Sequence, residues 1–331
     1  MEYLLNRSST GVARAAADSG PAAWREEATS LDLRGSNVLL TGASSGIGRA
    51  LAKRMAGRGA RLAIAARRED LLKGLADEVE RAGGTRPAVL PTDLSRPGEA
   101  AALAGRALDE LGDVDVLVNN AGSSVQGLAW AVADADAARE VFEVNVWSPL
   151  ALVGALVPRM RARGSGSVVN VTSLAYVSPF PRLGQYSASK GALAVATEAL
   201  RLELRGSGVC VTEIALGPVD TASSYENRML PGVDRWLDRT RPGSADAAAK
   251  RIVTTIERGR ERAVHPRRLG IAHALPSLGR RFSARLSDRV EADDPTVRRG
   301  GSQGDEAIRA ARAEWRPRES DAAESDGAGV C

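Results

Sequence analysis

The chain has 331 residues, enough for one large α/β domain with tails or for two small domains. Aromatic residues make up only 4% of it, so Ala, Val, Leu and Ile must form most of the core. The formal charge of +4 is small for this length, and most arginines are interleaved with acidic residues. A nucleic-acid partner is therefore not expected, because such a partner requires a concentrated basic patch.

The cysteines and the lengths of the apolar runs indicate the cellular compartment in which the protein is expected. Cys210 lies in an apolar run and is expected to be a small core residue, while Cys331 ends a polar tail, so no disulfide framework is predicted. No uninterrupted apolar run approaches the roughly 18 residues of a membrane span. Leu4 and Leu5 are followed at once by polar residues, unlike a secretory segment. We therefore expect a cytoplasmic location.

The pattern along the chain predicts one α/β domain between two tails. Residues 1–30 show no periodicity and are expected to be a flexible extension. From about Gly35, short runs rich in Val, Ile and Leu alternate with longer segments at helical spacing, which indicates buried parallel strands joined by helices. The runs cover residues 38–40, 62–65, 88–90, 114–118, 168–171 and 209–214. We predict a doubly wound parallel sheet, the Rossmann fold, within a catalytic domain of residues 31–270.

The segments after Asp220 look different. Residues 221–242 combine Ser, Pro and Gly with Met229, Leu230 and Trp236, which predicts a loop with a short helix that could act as a substrate lid. Residues 271–291 are expected to form a basic amphipathic helix, with its apolar residues at helical spacing over 273–286. Residues 292–331 are rich in Gly, Ser, Arg and acids and are expected to be disordered.

A glycine-rich turn follows the first predicted strand and precedes a helix expected over about 47–58. Its glycines would allow a tight turn, a close approach of a pyrophosphate and close helix–strand packing, while the helix N-terminus offers free N–H groups to the anion. The G-x-x-x-G-x-G spacing differs from the common dinucleotide fingerprint, and a plain strand–helix turn is the alternative. The residues assigned to nucleotide binding are Gly42, Ser44, Ser45, Gly46, Ile47 and Gly48.

The end of the second predicted strand bears on cofactor choice. An NAD site usually has Asp or Glu here for the ribose 2′-hydroxyl, but this chain has Ala66 followed by Arg67 and Arg68. A guanidinium group suits a 2′-phosphate, so NADP(H) is favoured over NAD(H). The alternative is that both arginines pair with Glu69 or Asp70 at the next helix start.

A tyrosine and a lysine predict acid–base chemistry. Tyr186 and Lys190 are four residues apart at the start of a helical pattern and therefore share one helix face. A neighbouring ammonium group lowers the pKa of a phenol, so the pair is a plausible general acid/base. Ser173 ends an apolar strand, where it could donate a hydrogen bond to a substrate oxygen, although such a serine is more often a cap or turn residue.

These motifs together resemble the short-chain dehydrogenase/reductases over residues 34–222. The resemblance rests on TGASSGIG at 41–48, Asp93, NNAG at 119–122, Asn145, Ser173 and YSASK at 186–190. It implies that Asp93 and Leu94 contact the adenine, and that Asn120, Ala121 and Gly122 line the cofactor crevice. It also implies that Asn145 holds a water in a proton relay to Lys190, which binds the nicotinamide ribose. Ser173 would polarise the carbonyl and Tyr186 would protonate it.

One departure from the family concerns the segment after the sixth predicted strand. The family commonly has Pro-Gly there, whereas this chain has Gly217-Pro218. The resemblance still implies that Val219 and Thr221 contact the cofactor, and it implies self-association through helices at about 135–162 and 184–205 as a homodimer or homotetramer.

The basic C-terminal stretch has two interpretations. Between Glu257 and Glu291 there are nine arginines and four acids, and the apolar residues of 273–286 recur at helical spacing. The helix could cover the substrate pocket or an interface, or it could contact a membrane surface peripherally. His265 and His273 have no partners at ligand spacing, so no metal site is predicted.

Taken together, the residues favour an oxidoreductase that moves a hydride between a nicotinamide cofactor and a carbonyl or secondary alcohol. A nucleotide-sensing protein without catalysis is an alternative, although Tyr186 and Lys190 are both present. An epimerase or dehydratase is another, which the S-S-G-I-G turn argues against. Phe180, Tyr176 and the apolar residues of 221–242 predict an apolar substrate pocket.

Overall fold

The computed structural model describes residues 30–221, 242–287 and 298–300, without the side chains of Phe282, Leu286, Ser287 and 298–300. The predictions for the N-terminal extension, for the lid with Met229, Leu230 and Trp236, for Cys331 and for most of the C-terminal tail lie outside these residues.

The centre of the molecule is a seven-stranded sheet in which every pair of neighbouring strands is parallel. Its strands are β1 (Asn37–Thr41), β2 (Arg61–Ala66), β3 (Ala88–Pro91), β4 (Val116–Asn119), β6 (Gly166–Ser173), β7 (Val209–Leu216) and β10 (Arg262–His265). Their order is β10-β7-β6-β4-β1-β2-β3. Four short strands lie outside the sheet: β5 (Ser124–Gln126), β8 (Val219–Asp220), β9 (Gly243–Ser244) and β11 (Arg298–Gly300).

Helices connect the strands and cover both faces of the sheet. They are α1 (Gly46–Ala56), α2 (Glu69–Arg81), α3 (Glu99–Leu111), α4 (Asp136–Phe142), α5 (Ser148–Arg163), α6 (Gly184–Glu203) and α7 (Ala245–Glu257). A π-helical turn, Glu143–Trp147, joins α4 to α5. This architecture confirms the predicted doubly wound parallel sheet.

Alternating side chains of each strand supply two separate cores, as strand geometry requires. Val38 and Leu40 of β1 pack with α1, α2 and α7, whereas Leu39 between them packs with α3 and α5. Both faces of the inner strands are therefore buried, which explains why the sequence shows apolar runs with little alternation.

The strand order reverses between β1 and β4. In doubly wound sheets, ligands bind outside the carboxyl ends of the strands at this point. The chain after β1 continues toward one side of the sheet and the chain after β4 toward the other, although the two strands are neighbours. This divergence opens a crevice at the carboxyl ends of the strands. The predicted site residues cluster around this crevice.

The prediction of one helix over residues 273–286 is wrong. The structure has two helices, α8 (Gly270–Ala274) and α9 (Pro276–Ser287), with Leu275 extended between them. Proline has no N–H to donate and disfavours helical backbone in the residue before it, which explains the break at Pro276. We call residues 267–287, which comprise a 3₁₀ turn, α8 and α9, the C-terminal cap.

Two further details differ from expectation. Residues 298–300 lie in the segment expected to be disordered, and the structure pairs them antiparallel with β5 as strand β11 (Arg298–Gly300). Cys210, expected in the core, is half-buried.

The run Asp136–Arg163 is long and apolar enough to cross a membrane by length and composition alone. Half of its most apolar window is buried against the protein, and core helices of soluble proteins pass the same test.

Candidate active site

Three glycines shape the turn between β1 and α1. Gly42 and Gly46 have positive φ angles, +72° and +53°, which glycine adopts at little cost. A Cβ atom on Gly48 would lie 2.1 Å from the carbonyl oxygen of Gly42, so only glycine lets the helix start so close to the strand. The helix cap, Ser45, makes no side-chain capping bond, which leaves the first N–H groups of α1 available to an anion.

The turn is held by residues that the sequence analysis assigned to the crevice. The Asn120 side-chain amide donates hydrogen bonds to the carbonyl oxygens of Thr41 (3.0 Å) and Gly42 (3.3 Å). The Thr41 hydroxyl accepts from the backbone N–H groups of Asn120 (3.1 Å) and Ala121 (3.0 Å). Thr41 was missed as a functional residue, although its place at the end of a strand before a glycine turn was a usable signal.

The end of β2 carries positive charge and no acid. Arg68 donates hydrogen bonds to the hydroxyls of Ser44 (3.2 Å) and Ser45 (3.0 Å), so its guanidinium group lies over the glycine-rich turn. Glu69 forms an ion pair with Lys73 at 2.8 Å, and the alternative that the two arginines pair with Glu69 or Asp70 stays open. Arg67 and Arg68 both line the same cavity as the glycine turn.

The residues after β3 line another part of the same cavity. The carboxylate of Asp93 accepts hydrogen bonds from the backbone N–H (3.1 Å) and hydroxyl (2.7 Å) of Ser95. Leu94 is buried, and its carbonyl oxygen accepts a hydrogen bond from Ser148 at 2.8 Å. Asp93 and Leu94 both line the cavity, and their contact with an adenine stays a prediction.

Ser173, Tyr186 and Lys190 come together across the crevice. Ser173 ends β6, and the other two occupy the first turns of α6, which packs on β6. The Lys190 ammonium group donates a hydrogen bond to the carbonyl oxygen of Val171 at 2.9 Å. All three side chains line the cavity, so the arrangement presents two hydroxyls and a cation to a bound molecule.

Burial is the largest influence on the pKa values of Tyr186 and Lys190. It raises the pKa of Tyr186, and a hydrogen bond with Ser173 opposes this only in part. It also lowers the pKa of Lys190 to about 8. The expectation that the ammonium group lowers the tyrosine pKa is therefore not met in the protein alone, because desolvation disfavours both charged forms. At neutral pH, Tyr186 is protonated and ready to donate.

Asn145 lies in the π-helical turn between α4 and α5. Its amide donates to the carbonyl oxygen of Ser123 and to the hydroxyl of Ser189, both at 2.9 Å, and its Oδ1 accepts from the N–H of Ser123 at 2.9 Å. A Cβ atom on Gly122 would lie 3.6 Å from both Asn145 Oδ1 and Lys190 Nζ. Asn145 therefore anchors the turn beside Lys190, while the water relay implied by the family stays a prediction.

The cavity at the carboxyl edge has a volume of about 770 Å³, within the usual range for ligand sites. Val219 and Thr221 line it, and a Cβ atom on Gly46 would lie 3.3 Å from the Thr221 methyl group. Its other end is apolar. The lining there includes Leu174, Phe180, Leu183, Leu269, Ile271 and Leu278.

Tyr176 does not line the cavity, contrary to the sequence prediction. Its hydroxyl donates to the buried carboxylate of Glu213 at 3.1 Å and lies 2.9 Å from Nε2 of His273 in α8. Glu213 also accepts from Thr172 (2.8 Å) and Arg262 (2.7 Å). This polar cluster ties the C-terminal cap to β6 and β7. Sequence analysis missed it, because nothing in the sequence relates residues 97 positions apart.

The observed residues fit a nicotinamide dinucleotide. The glycine turn offers free N–H groups to a pyrophosphate, and the cavity runs from there to Tyr186. Among the residues that the structure describes, no group of three or more His, Cys, Asp and Glu side chains could hold a metal ion.

Comparison with known proteins agrees with this geometry. Residues 36–229 match the short chain dehydrogenase family, which is more than half of the chain. A short chain dehydrogenase of Pseudocercospora fijiensis is 40% identical over 190 residues, 57% of this chain and 61% of that protein, so the chain spans less than two thirds of that relative. A fatty acyl-CoA reductase of Mycobacterium tuberculosis is 33% identical over 261 residues, 78% of this chain and 86% of that protein.

Solved structures are similar over most of the described fold. A short chain dehydrogenase/reductase from Burkholderia phymatum in complex with NAD has a TM-score of 0.66 and 29% identity, covering 80% of this chain and 99% of that one. A short-chain dehydrogenase from Sphingobium yanoikuyae in complex with NADPH has a TM-score of 0.64 and 27% identity, covering 78% and 98%. The chain therefore belongs to the short-chain dehydrogenase/reductase family of NAD(P)-dependent oxidoreductases.

Proposed function

We propose that the chain interconverts a carbonyl compound and the corresponding alcohol, with Tyr186 as general acid/base. The observation that carries this proposal is the convergence of Ser173, Tyr186 and Lys190 on one cavity that also contains the glycine-rich turn. When bound, the nicotinamide cofactor supplies or accepts the hydride.

The side chains have separable roles in reduction. The hydroxyls of Ser173 and Tyr186 donate hydrogen bonds to the substrate oxygen, which stabilises the negative charge that develops there. Tyr186 then gives its proton to that oxygen. The Lys190 ammonium group, fixed by its bond to Val171, stabilises the phenolate that remains. Oxidation uses the same groups in reverse.

The apolar end of the cavity supports an apolar carbonyl substrate. Leu174, Phe180 and Leu183 line it and favour an apolar group, while Arg268 is a charged residue of the same cavity lining. The names of two relatives point the same way: the fatty acyl-CoA reductase, and a ketoacyl reductase of Nostoc sp. that is 36% identical over 198 residues, 60% of this chain and 68% of that protein.

A panel of carbonyl compounds tests this proposal. Long-chain aldehydes, aliphatic ketones and 3-ketoacyl esters are compared with small keto acids, and the loss of NADPH absorbance is followed. We expect kcat/KM to rise with chain length and the Tyr186→Phe variant to be inactive. A preference for small charged substrates would contradict the apolar assignment.

We also propose that the site prefers NADP(H). Support comes from Ala66 in place of an acid and from Arg68, which lies against Ser44 and Ser45 beside the ribose end of the cavity. Replacing Arg67 and Arg68 with alanine is expected to weaken NADPH binding about tenfold or more, with little effect on NADH. Arg81→Ala, on the exposed end of α2, is the control. Equal losses for both nucleotides would contradict the preference.

Self-association is a further proposal. Trp147, Val195 and Leu202 on the π-helical turn and α6 are 57%, 72% and 55% exposed, which supports the predicted homodimer or homotetramer. Sedimentation of the purified protein measures the state directly. A cytoplasmic location stays a prediction.

A further inference from the structure

The C-terminal cap, residues 267–287, is basic. Five arginines and no acidic residue occur in it: Arg267, Arg268, Arg280, Arg281 and Arg285. All five are exposed. Among the described residues, no carboxylate lies within ion-pair distance of the three arginines of α9. The positive charge of Arg280, Arg281 and Arg285 on α9 is therefore directed to solvent.

The same cap exposes large apolar side chains. Ile271, Leu275 and Leu278 are 68%, 50% and 49% exposed, and they follow one another at steps of four and three residues. Only seven large hydrophobic residues are exposed in the described part of the chain, and three of them lie in this short segment. Such clustering marks an interaction surface, whereas single exposed apolar residues do not.

The cap packs on the protein through other residues. The Ser178 hydroxyl donates to the carbonyl oxygen of Gly279 at 3.0 Å and lies 2.5 Å from the hydroxyl of Ser283. Gly279 and Ser283 are buried. Small residues thus hold α9 against the loop after β6, so Leu278 and the arginines of α9 are not needed for that contact.

The exposed apolar residues also border the site. Ile271 and Leu278 line the cavity while remaining about half or more exposed, which places them at its mouth. Arg268 lines the cavity as well. The opening of the apolar end is therefore surrounded by exposed apolar and basic side chains.

We propose that the C-terminal cap docks on the surface of an anionic lipid bilayer, with the cavity mouth facing the lipid. Exposed apolar residues next to several arginines, without acids, match the chemistry of an interface where acyl chains adjoin anionic headgroups. The reason for docking rests on the proposed function: an apolar carbonyl substrate would enter the cavity from the bilayer. Docking itself requires only the surface of the cap.

Vesicle binding tests the proposal. The full chain is sedimented with vesicles of phosphatidylcholine alone or mixed with phosphatidylglycerol. We expect binding to the anionic vesicles, weakened about tenfold or more by the double variant R280E/R281E. The control is R61E/R81E, which makes the same charge change at the exposed first residue of β2 and last residue of α2, on the β2–β3 side of the sheet and away from β6 and β10. It is expected to bind like the wild type.

Leu275→Ser tests whether the exposed apolar side chains of the cap contribute to vesicle binding. Leu275 is suitable because it is exposed and does not line the cavity. We expect this variant to weaken vesicle binding, whereas Trp130→Ser, at 69% exposure outside the cap, leaves binding unchanged. Absence of binding by the folded wild type, or equal losses in R61E/R81E, would overturn the proposal. Loss of an oligomer in Leu275→Ser without loss of vesicle binding would assign the face to a second copy of the chain and would also overturn it.

NADPH binding and reduction of a soluble carbonyl, both measured without vesicles, separate the two proposals. If they persist while vesicle binding fails, only the docking proposal falls. If vesicles bind but no nucleotide does, the proposed function falls instead.

Discussion

The two ends of the cavity are built differently. At the cofactor end, the backbone of the glycine turn is fixed by residues of the neighbouring strand β4, because the Asn120 side chain donates hydrogen bonds to the carbonyl oxygens of Thr41 and Gly42. At the substrate end, the C-terminal cap is held by a few long-range polar contacts, including Tyr176 to His273, and its apolar side chains remain exposed. The comparison teaches that the cofactor end is framed by the central strands of the sheet, whereas the substrate end depends on a C-terminal cap that side-chain contacts attach to it.

The largest expected effect comes from the acid/base itself. Replacing Tyr186 with phenylalanine removes the proton donor and is expected to lower kcat by about 10²–10⁴-fold while NADPH still binds. Steady-state kinetics with a reduced carbonyl measure this. Tyr176→Phe is the matched control and should retain most of kcat, because Tyr176 does not line the cavity. Similar losses in the two variants would remove the functional distinction between the tyrosines.

The next largest effect is expected from a substitution in the glycine turn at the cofactor end. Gly48→Ala would place a Cβ atom 2.1 Å from the Gly42 carbonyl oxygen and 2.6 Å from the Asn120 amide nitrogen, so α1 must move away from the pyrophosphate position. We expect the Kd for NADPH to rise by about 100-fold, roughly the loss of two charge-assisted hydrogen bonds. Gly74→Ala in α2, where a Cβ atom meets nothing within 4 Å, is the control. Unchanged NADPH affinity in Gly48→Ala would contradict the role of this turn.

The pH dependence of kcat tests whether the charge of Lys190 is required for reduction. Burial lowers its pKa to about 8, so its charged form is present below that pH and is lost as pH rises through it. Because only the ammonium form stabilises the phenolate of Tyr186, kcat for reduction should be level near neutrality and fall about tenfold per pH unit well above pH 8. A pH–rate profile measures this decrease in kcat above pH 8, and circular dichroism confirms that the protein stays folded over the range. A flat profile to pH 10 would show that the charge of Lys190 is not required.

The smallest effect concerns the attachment of the C-terminal cap. Tyr176→Phe removes hydrogen bonds to Glu213 and His273, while Thr172 and Arg262 still satisfy the Glu213 carboxylate. We expect a loss of about 1 kcal/mol in the free energy of unfolding. We also expect a few-fold rise in KM for apolar substrates, because α8 lines their end of the cavity. Thermal unfolding and KM measurements check both. An unchanged KM would mean that the contact between Tyr176 and the C-terminal cap does not affect substrate binding.

Sequence analysis succeeded where function depends on local pattern. The glycine turn at 42–48, the pair Tyr186 and Lys190, and Ser173 at a strand end are readable because the fold brings equivalent strand ends to one edge. The substrate end was harder. The break at Leu275 follows from Pro276 and was readable, but the redirection of Tyr176 from the cavity to Glu213 depends on α8, nearly a hundred residues later. The raised pKa of Tyr186 depends on burial, which a sequence does not display.

A fluorescence titration of the purified protein with NADPH and NADH, repeated on Tyr186→Phe, tests the central claim most directly. We predict saturable binding of NADPH, tighter than that of NADH, that survives the substitution even though reduction does not. Binding of neither nucleotide to the folded wild type would contradict the account, because the glycine turn, Arg68 and Tyr186 would then line a cavity without the cofactor on which the proposed chemistry depends.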